Sequence, residues 1–237
     1  MNILVTICAR KGSKRLKNKN IRNLAGKPLL FYAIDLAKEW GAAKRIICST
    51  DSEKIASMAE ERGIEVPFMR PAELADDHAG KVDVLRHALK KCEELYDEKY
   101  DVLVDLDVTS PIRNKDDMNK CLEIFEKKKP ESLFSVTKAR KNPYFNVVER
   151  KPDGEIVLSK PKDAFILRNQ DCPEVYDMNA AIYFYDRKFL LNESNVHPLS
   201  VENVELYVMD EIAAFDIDTD LDFKIVEFLI KNEDMKL

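Results

Sequence analysis

The sequence predicts an α/β fold, a mostly parallel sheet with helices on both faces and a segment inserted at about residues 138–178. Three observations carry this. Short β-rich runs alternate with longer amphipathic ones through the first half of the chain, the pattern of a parallel sheet covered on two sides. After Lys138 the texture changes to Pro, Lys, Asp and Asn with only short strand-like pieces. A length of 237 residues with 45% hydrophobic composition suffices for one sizeable core and is too short for two domains with linkers, so 1–237 reads as a single domain.

Taken in order, Ile3 to Cys8 is the first strand, and Pro28 to Trp40 a helix whose proline sits where a missing N–H costs nothing. Arg45 to Ser49 reads as a strand, Ser52 to Arg62 as a helix stopped by Gly63, and Glu65 to Met69 as a further strand. Between Gly80 and Leu95, Val84, Leu85, Ala88, Leu89 and Cys92 recur at helical spacing. Asp101 to Leu106 is a buried strand, Asn114 to Lys128 a helix and Ser132 to Thr137 a strand. Beyond the insertion, Ala180 to Tyr185 and Leu206 to Met209 resume strands, and Asp220 to Asn232 is a closing amphipathic helix.

The net charge of −5 argues against a nucleic-acid binder, which would carry a basic excess. The five cysteines are odd in number and lack zinc-site spacing, so they read as reduced thiols in a cytoplasmic protein. No stretch approaches the roughly 20 apolar residues that span a bilayer.

Ligands of an open parallel sheet bind beyond the carboxyl ends of its strands, so the segments just after strands are the places to look for chemistry. The run Ala9 to Asn20 holds six cations, Gly12 and two asparagines in twelve positions, which suits a loop around a polyphosphate, although a solvated basic loop has the same composition. It is not a Walker A loop, because no second glycine precedes a Lys-Ser/Thr pair. Asp105 and Asp107 stand at i and i+2 near a strand end and share a face, where hard oxygen donors suit Mg²⁺; turn-forming aspartates ahead of Pro111 are the alternative. Asp216 and Asp218 repeat the arrangement near the C-terminus, ahead of a helix capped by Thr219 or Asp220. Two acidic segments and a basic loop together describe a site for a metal–nucleoside triphosphate. Lys81 could touch phosphate but reads first as a surface lysine at a helix start, and His78, His87 and His197 as structural or solvated.

These segments, with Ser49-Thr50-Asp51, Arg70-Pro71-Ala72-Glu73-Leu74 and Thr109-Ser110-Pro111-Ile112-Arg113, occur in an order and at spacings that resemble the acylneuraminate cytidylyltransferase family over roughly residues 3–230. The resemblance implies a Rossmann-like, GT-A-like nucleotidyltransferase domain that uses CTP and Mg²⁺, and a homodimer whose inserted arm reaches the partner's site. It implies CMP transfer to a nonulosonic acid. Sialic, legionaminic and pseudaminic acids, the non-acylated nine-carbon acid and the eight-carbon acid of lipopolysaccharide all stay open. The nucleotide-binding set is then Ala9, Arg10, Gly12, Ser13, Lys14, Lys19, Asn20, Arg70, Ala79 and Asp107. Arg10, Lys19, Asp216 and Asp218 are the catalytic candidates, and Asp107, Asp216 and Asp218 the metal ligands. Asp107, Thr109, Arg168, Asn179 and Tyr183 are the sugar-binding candidates.

Three positions depart from the family pattern. Asp107-Val108 stands where many members have Gln-Pro, leaving Asp107 open between metal and sugar. Arg168 is the only cation where two adjacent arginines are frequent. Ala180 replaces a usual glycine. A metal-dependent glycosyltransferase using Asp105-Leu106-Asp107 is the competing class, disfavoured by the six cations of the N-terminal loop.

Overall fold

A computed structural model describes residues 1–12, 16–76, 78–162 and 166–232. The apolar run Ile3–Cys8 forms β1. A minimal hairpin of β2 (Asn23–Leu24) and β3 (Lys27–Pro28) leads into α1 (Leu29–Trp40), followed by β4 (Arg45–Ser49) and α2 (Glu53–Glu61). The chain continues through α3 (Lys81–Tyr96), β5 (Val102–Leu106), α4 (Lys115–Lys128) and β6 (Ser132–Lys138). The segment 139–175 contains a separate two-stranded sheet, β7 (Val148–Arg150) with β8 (Ile156–Leu158). It ends in β9 (Tyr176–Asp186), after which come α5 (Arg187–Leu191), β10 (Val204–Val208) and α6 (Asp220–Lys231).

The six main strands lie in the order β10-β6-β9-β5-β1-β4, and β9 alone runs antiparallel to its neighbours. Strand alternation divides the core in two. Ile3, Val5 and Ile7 of β1 and Val102, Val104 and Leu106 of β5 pack with α1, α4 and α6, while Leu4 and Leu103 pack with α3 and α5. Asp105 shares a strand face with Leu103, so its carboxylate is directed to the α3 side of the sheet and is fully buried there.

Helix starts follow local chemistry. The Ser52 hydroxyl caps α2, and capping boxes start α4 (Asn114 with Asp117) and α6 (Thr219 with Asp222). Two sequence expectations differ from the structure. Glu65 to Met69 makes only isolated parallel bridges to β4, Ile47 with Glu65 and Thr50 with Met69; Pro67 lacks the donor that a continuous ladder needs. The last long strand begins at Tyr176 rather than Ala180, because it crosses an irregularity that masks its alternation.

That irregularity is a bulge. Phe134 pairs with Tyr183 and Val136 with Met178, so the stretch 179–182 faces Ser135 alone. Ala180 adopts φ +53° there, in the left-handed region that disfavours a Cβ. Ala180→Gly is therefore expected to stabilise the fold by about 0.5–1 kcal/mol, the relief of strain exceeding the added chain entropy. A thermal melt checks it: the midpoint should rise by about 1–4 °C, and a fall would show that the alanine methyl contributes packing that outweighs the strain.

Candidate active site

At the carboxyl ends of β1 and β5 opens a cleft of about 550 Å³, walled by the loop after β1, the segment from Arg70 to Val84, the end of β5 and the segment ahead of α6. This is the position at which open parallel sheets bind ligands. Arg10, Gly12, Lys19, Asn20, Arg70, Ala79, Asp107, Thr109, Asp216 and Asp218 all line it. Ser13 and Lys14 lie outside the described residues.

The basic loop is fixed at several points. Ala9 is buried and its N–H donates to the Ser49 carbonyl at 3.0 Å, so it anchors the loop and does not line the cleft. The Lys11 N–H donates to Asp51 Oδ1 at 2.7 Å, and Asn20 Nδ2 to the Arg10 carbonyl at 3.0 Å. Arg10 Nη1 donates to the Asp76 carbonyl at 2.9 Å, which ties the loop to the opposite wall. A Cβ built on Gly12 would meet no atom within 4 Å. Arg70 is buried at its base, with Nε donating to Ser49 Oγ at 3.1 Å.

The acidic side is held by the start of α6. Asp222 Oδ2 accepts from the N–H groups of Asp218 at 3.1 Å and Thr219 at 2.7 Å, which sets the backbone on which Asp216 and Asp218 alternate. Lys19 Nζ crosses the cleft to Asp218 Oδ1 at 2.9 Å and to the Ile217 carbonyl at 2.7 Å. Ser110 Oγ, which donates to the Asn179 carbonyl at 2.9 Å, stands 3.4 Å from Asp216 Oδ1, and no lysine or arginine stands in ion-pair contact with Asp216 among the described residues. Burial pushes its carboxyl above the ordinary range against the pull of the Thr109 hydroxyl and Lys19.

The end of β5 is the most charged corner. Lys81 Nζ lies 2.8 Å from Asp105 Oδ2 and 3.0 Å from Asp107 Oδ2, so the lysine expected on the surface is instead a wall of the cleft. A lysine in the first turn of a helix opposes the dipole, and that anomaly was the available signal that carboxylates stood nearby. Burial would raise Asp107, but the Lys81 ammonium, the Thr109 N–H and Arg113 outweigh it and hold the carboxyl at about 2. Arg113, drawn down to about 10 by its burial, donates to the Asp107 carbonyl at 2.6 Å and to the Ala181 carbonyl. Cys8, which also lines the cleft, is pushed up to about 12 by burial and by Asp105, so it is a poor nucleophile.

The remaining candidates fall elsewhere. Asn179 is buried with its side chain turned inward: Oδ1 accepts from Ser135 Oγ at 2.7 Å and from the Ala181 N–H at 3.3 Å, and Nδ2 donates to the Ala213 carbonyl at 3.2 Å. It holds the bulge together and is not among the residues that line the cleft. Tyr183 is half-buried, stacks on Tyr185 with centroids 6.0 Å apart, and is likewise not among the lining residues. Arg168 is exposed on the 139–175 segment and pairs with Asp171 at 2.8 Å, away from the cleft of its own chain. The expected three-carboxylate metal set is not assembled. Among the described residues no three His, Cys, Asp or Glu side chains group closely enough to hold an ion, and Lys81 occupies Asp107.

Four cations (Arg10, Lys19, Arg70, Lys81) and four carboxylates (Asp76, Asp107, Asp216, Asp218) line the cleft among the described residues. Such a balanced wall suits a polyanion that arrives with its own counter-cation.

Comparison with known proteins places these features in a family. The family model described as cytidylyltransferase matches residues 4–234. The chain is 46% identical over 234 residues to the post-translational flagellin modification protein B of Campylobacter coli, covering 99% of this chain and 97% of that one. It is 44% identical over 228 residues to the CMP-N,N'-diacetyllegionaminic acid synthase of Campylobacter jejuni, covering 96% and 94%. Its fold matches that of a CMP:2-keto-3-deoxy-manno-octonic acid synthetase solved with CTP, with a TM-score of 0.71 at 17% identity over 98% of this chain and 100% of the other. The sheet order, the strand-end cleft and the match over nearly its whole length agree: the chain is a nucleotidyltransferase of the cytidylyltransferase family.

Proposed function

We propose that this enzyme transfers CMP from CTP to the anomeric hydroxyl of a nonulosonic acid, with an acid of the legionaminic type as the foremost acceptor. The observation that carries the reading is the opposition, across one cleft, of Arg10, Lys19 and Arg70 to Asp216 and Asp218. The choice of acceptor is supported by the 44%-identical relative named for diacetyllegionaminic acid.

In this reading Arg10, Lys19, the backbone of Gly12 and Arg70 receive the triphosphate, and Asn20 and Ala79 flank the nucleoside. The sugar hydroxyl oxygen forms a bond to the α-phosphorus, the bond from that phosphorus to the β-phosphate oxygen breaks, pyrophosphate leaves, and the hydroxyl proton passes to solvent. Lys19 gives up its contact with Asp218 to neutralise the phosphates, and catalysis rests on positioning and charge stabilisation.

The donor set suits Mg²⁺, which is commonly held by one or two carboxylates together with substrate phosphates. Asp216, half-buried and in no ion pair among the described residues, and Asp218 would hold it. When bound, the ion neutralises phosphate oxygens and eases the departure of pyrophosphate.

Exposed apolar side chains on and beside the inserted segment, Val148, Ile156, Leu167, Tyr176 and Met178, support a homodimer in which this arm docks on a second copy and brings Arg168 to the partner's cleft. No helix among the described residues is long and apolar enough to cross a membrane. A cytoplasmic location, where CTP is made, accords with the reading.

Pyrophosphate release, measured with four nucleoside triphosphates crossed against eight- and nine-carbon 2-keto acids, is expected with CTP alone and fastest with a legionaminic-type acid. Release with no acid from a folded, CTP-binding protein would rule the acceptor class out. Chelation should abolish turnover and added Mg²⁺ restore it. Asp216→Asn is expected to lower kcat by about 100-fold or more, since several kcal/mol of charge stabilisation is lost. The same variant should melt no earlier than the wild type at neutral pH. A folded pKa raised above the unfolded value means that ionised Asp216 costs stability increasingly as pH rises through the unfolded pKa, and the neutral amide removes that cost. Sedimentation should give twice the chain mass, and Leu167→Asp should shift the boundary toward the single chain.

A further inference from the structure

Lys81 is held on two sides. Asp105 is fully buried, with Oδ1 accepting from Thr6 Oγ1 at 3.0 Å and Oδ2 lying 2.8 Å from the lysine Nζ. Asp107 takes the same nitrogen at 3.0 Å and turns Oδ1 to the N–H and hydroxyl of Thr109. An ammonium has three N–H donors. One is directed at Asp107 Oδ2, Asp105 Oδ2 stands at ion-pair distance without accepting a hydrogen bond, and the side chain keeps 37% of its surface open on a residue that lines the cleft.

The wall of the cleft therefore presents an N–H donor beside a carboxylate acceptor. A polar atom placed about 2.8 Å from both would complete a triangle of ordinary hydrogen bonds. To fill it, one atom must donate to the carboxylate and accept from the ammonium. A hydroxyl does both, a carbonyl or carboxylate oxygen only accepts, and an amide N–H only donates.

We propose that Lys81 is a specificity-determining residue that forms, together with Asp107, a subsite for one hydroxyl of the acceptor. The inference rests on the reading of the acceptor as a polyhydroxylated sugar acid. The carboxylate of that acid is then oriented toward another wall, because Asp107 repels it here. Asp107 orients the hydroxyl, with Oδ2 shared with Lys81 and Oδ1 held by the N–H and hydroxyl of Thr109.

Steady-state kinetics with CTP and N,N'-diacetyllegionaminic acid as the probe acceptor test the subsite. Lys81→Met and Asp107→Asn are each expected to raise the acceptor KM by about tenfold or more, the loss of one charge-assisted hydrogen bond, while the CTP KM stays within about twofold. The double variant should be little worse than either single one, because both remove the same contact. Lys81→Arg should recover part of the loss. An active wild type with the acceptor KM unchanged in the variants, with both KM values rising together, or with the two single effects multiplying in the double variant, overturns the subsite alone. Should Lys81→Met fail to fold, Asp107→Asn decides by the same ratio. A wild type inactive with every acid overturns the reading on which the subsite rests, and the subsite with it.

Discussion

Buried backbone and side-chain polar groups must find partners inside the protein, and nowhere is this felt more than at the bulge of β9. Four residues, 179–182, face one on the β6 side, and regular ladder pairing cannot satisfy that edge. Asn179 supplies the missing partners. Its side chain joins Ser135 on β6, the Ala181 N–H and the turn at Ala213, while its carbonyl accepts from Ser110 Oγ in the loop after β5. The turn it fixes leads directly into Asp216 and Asp218. Arg113 completes the link by joining the Ala181 and Asp107 carbonyls. The walls of the cleft thus hang on a short run of antiparallel strand set into an otherwise parallel sheet.

The long elements are legible in the sequence because periodicity and caps agree in them. The helices α1 to α4 and α6 begin and end within a residue or two of their expected bounds, the short α5 is not among the expected elements, and β1, β4, β5 and β6 arise from apolar runs ended by polar turns. The bulged strand reads too short because alternation fails where register slips. The basic loop and Asp107 stand at strand ends and the Asp216–Asp218 segment ahead of a capped helix, positions that sequence alone marks, and all come together in one cleft. Asn179 and Lys81 escape such a reading for a common reason. A side chain's role here depends on what stands across the sheet or cleft, about 26 residues away for Lys81 and Asp107 and 44 for Asn179 and Ser135. Local pattern carries no information on such partners.

Charge explains how this corner tolerates what it buries. Two carboxylates on one strand face repel each other, and burial weakens the solvent screening between them. A single ammonium shared between them, with Thr6 and Thr109 completing the oxygen contacts, keeps Asp107 ionised on the rim. Of the two, Asp107 alone faces the cleft. Asp105 is sealed beneath the surface, and Asp107 already has its cation.

The interrupted pairing beside β4 has a consequence of another kind. β4 is the outermost strand of the sheet, and a bare edge of this sort is a template on which strands of other molecules can add. The stretch from Glu65 to Arg70 lies along it, satisfying the Cys48 N–H and the Ile46 and Thr50 carbonyls, yet Pro67 keeps it from becoming a strand with a fresh edge of its own. The sheet ends there in a segment that takes up hydrogen bonds and offers few in return, so growth in that direction stops with the chain itself.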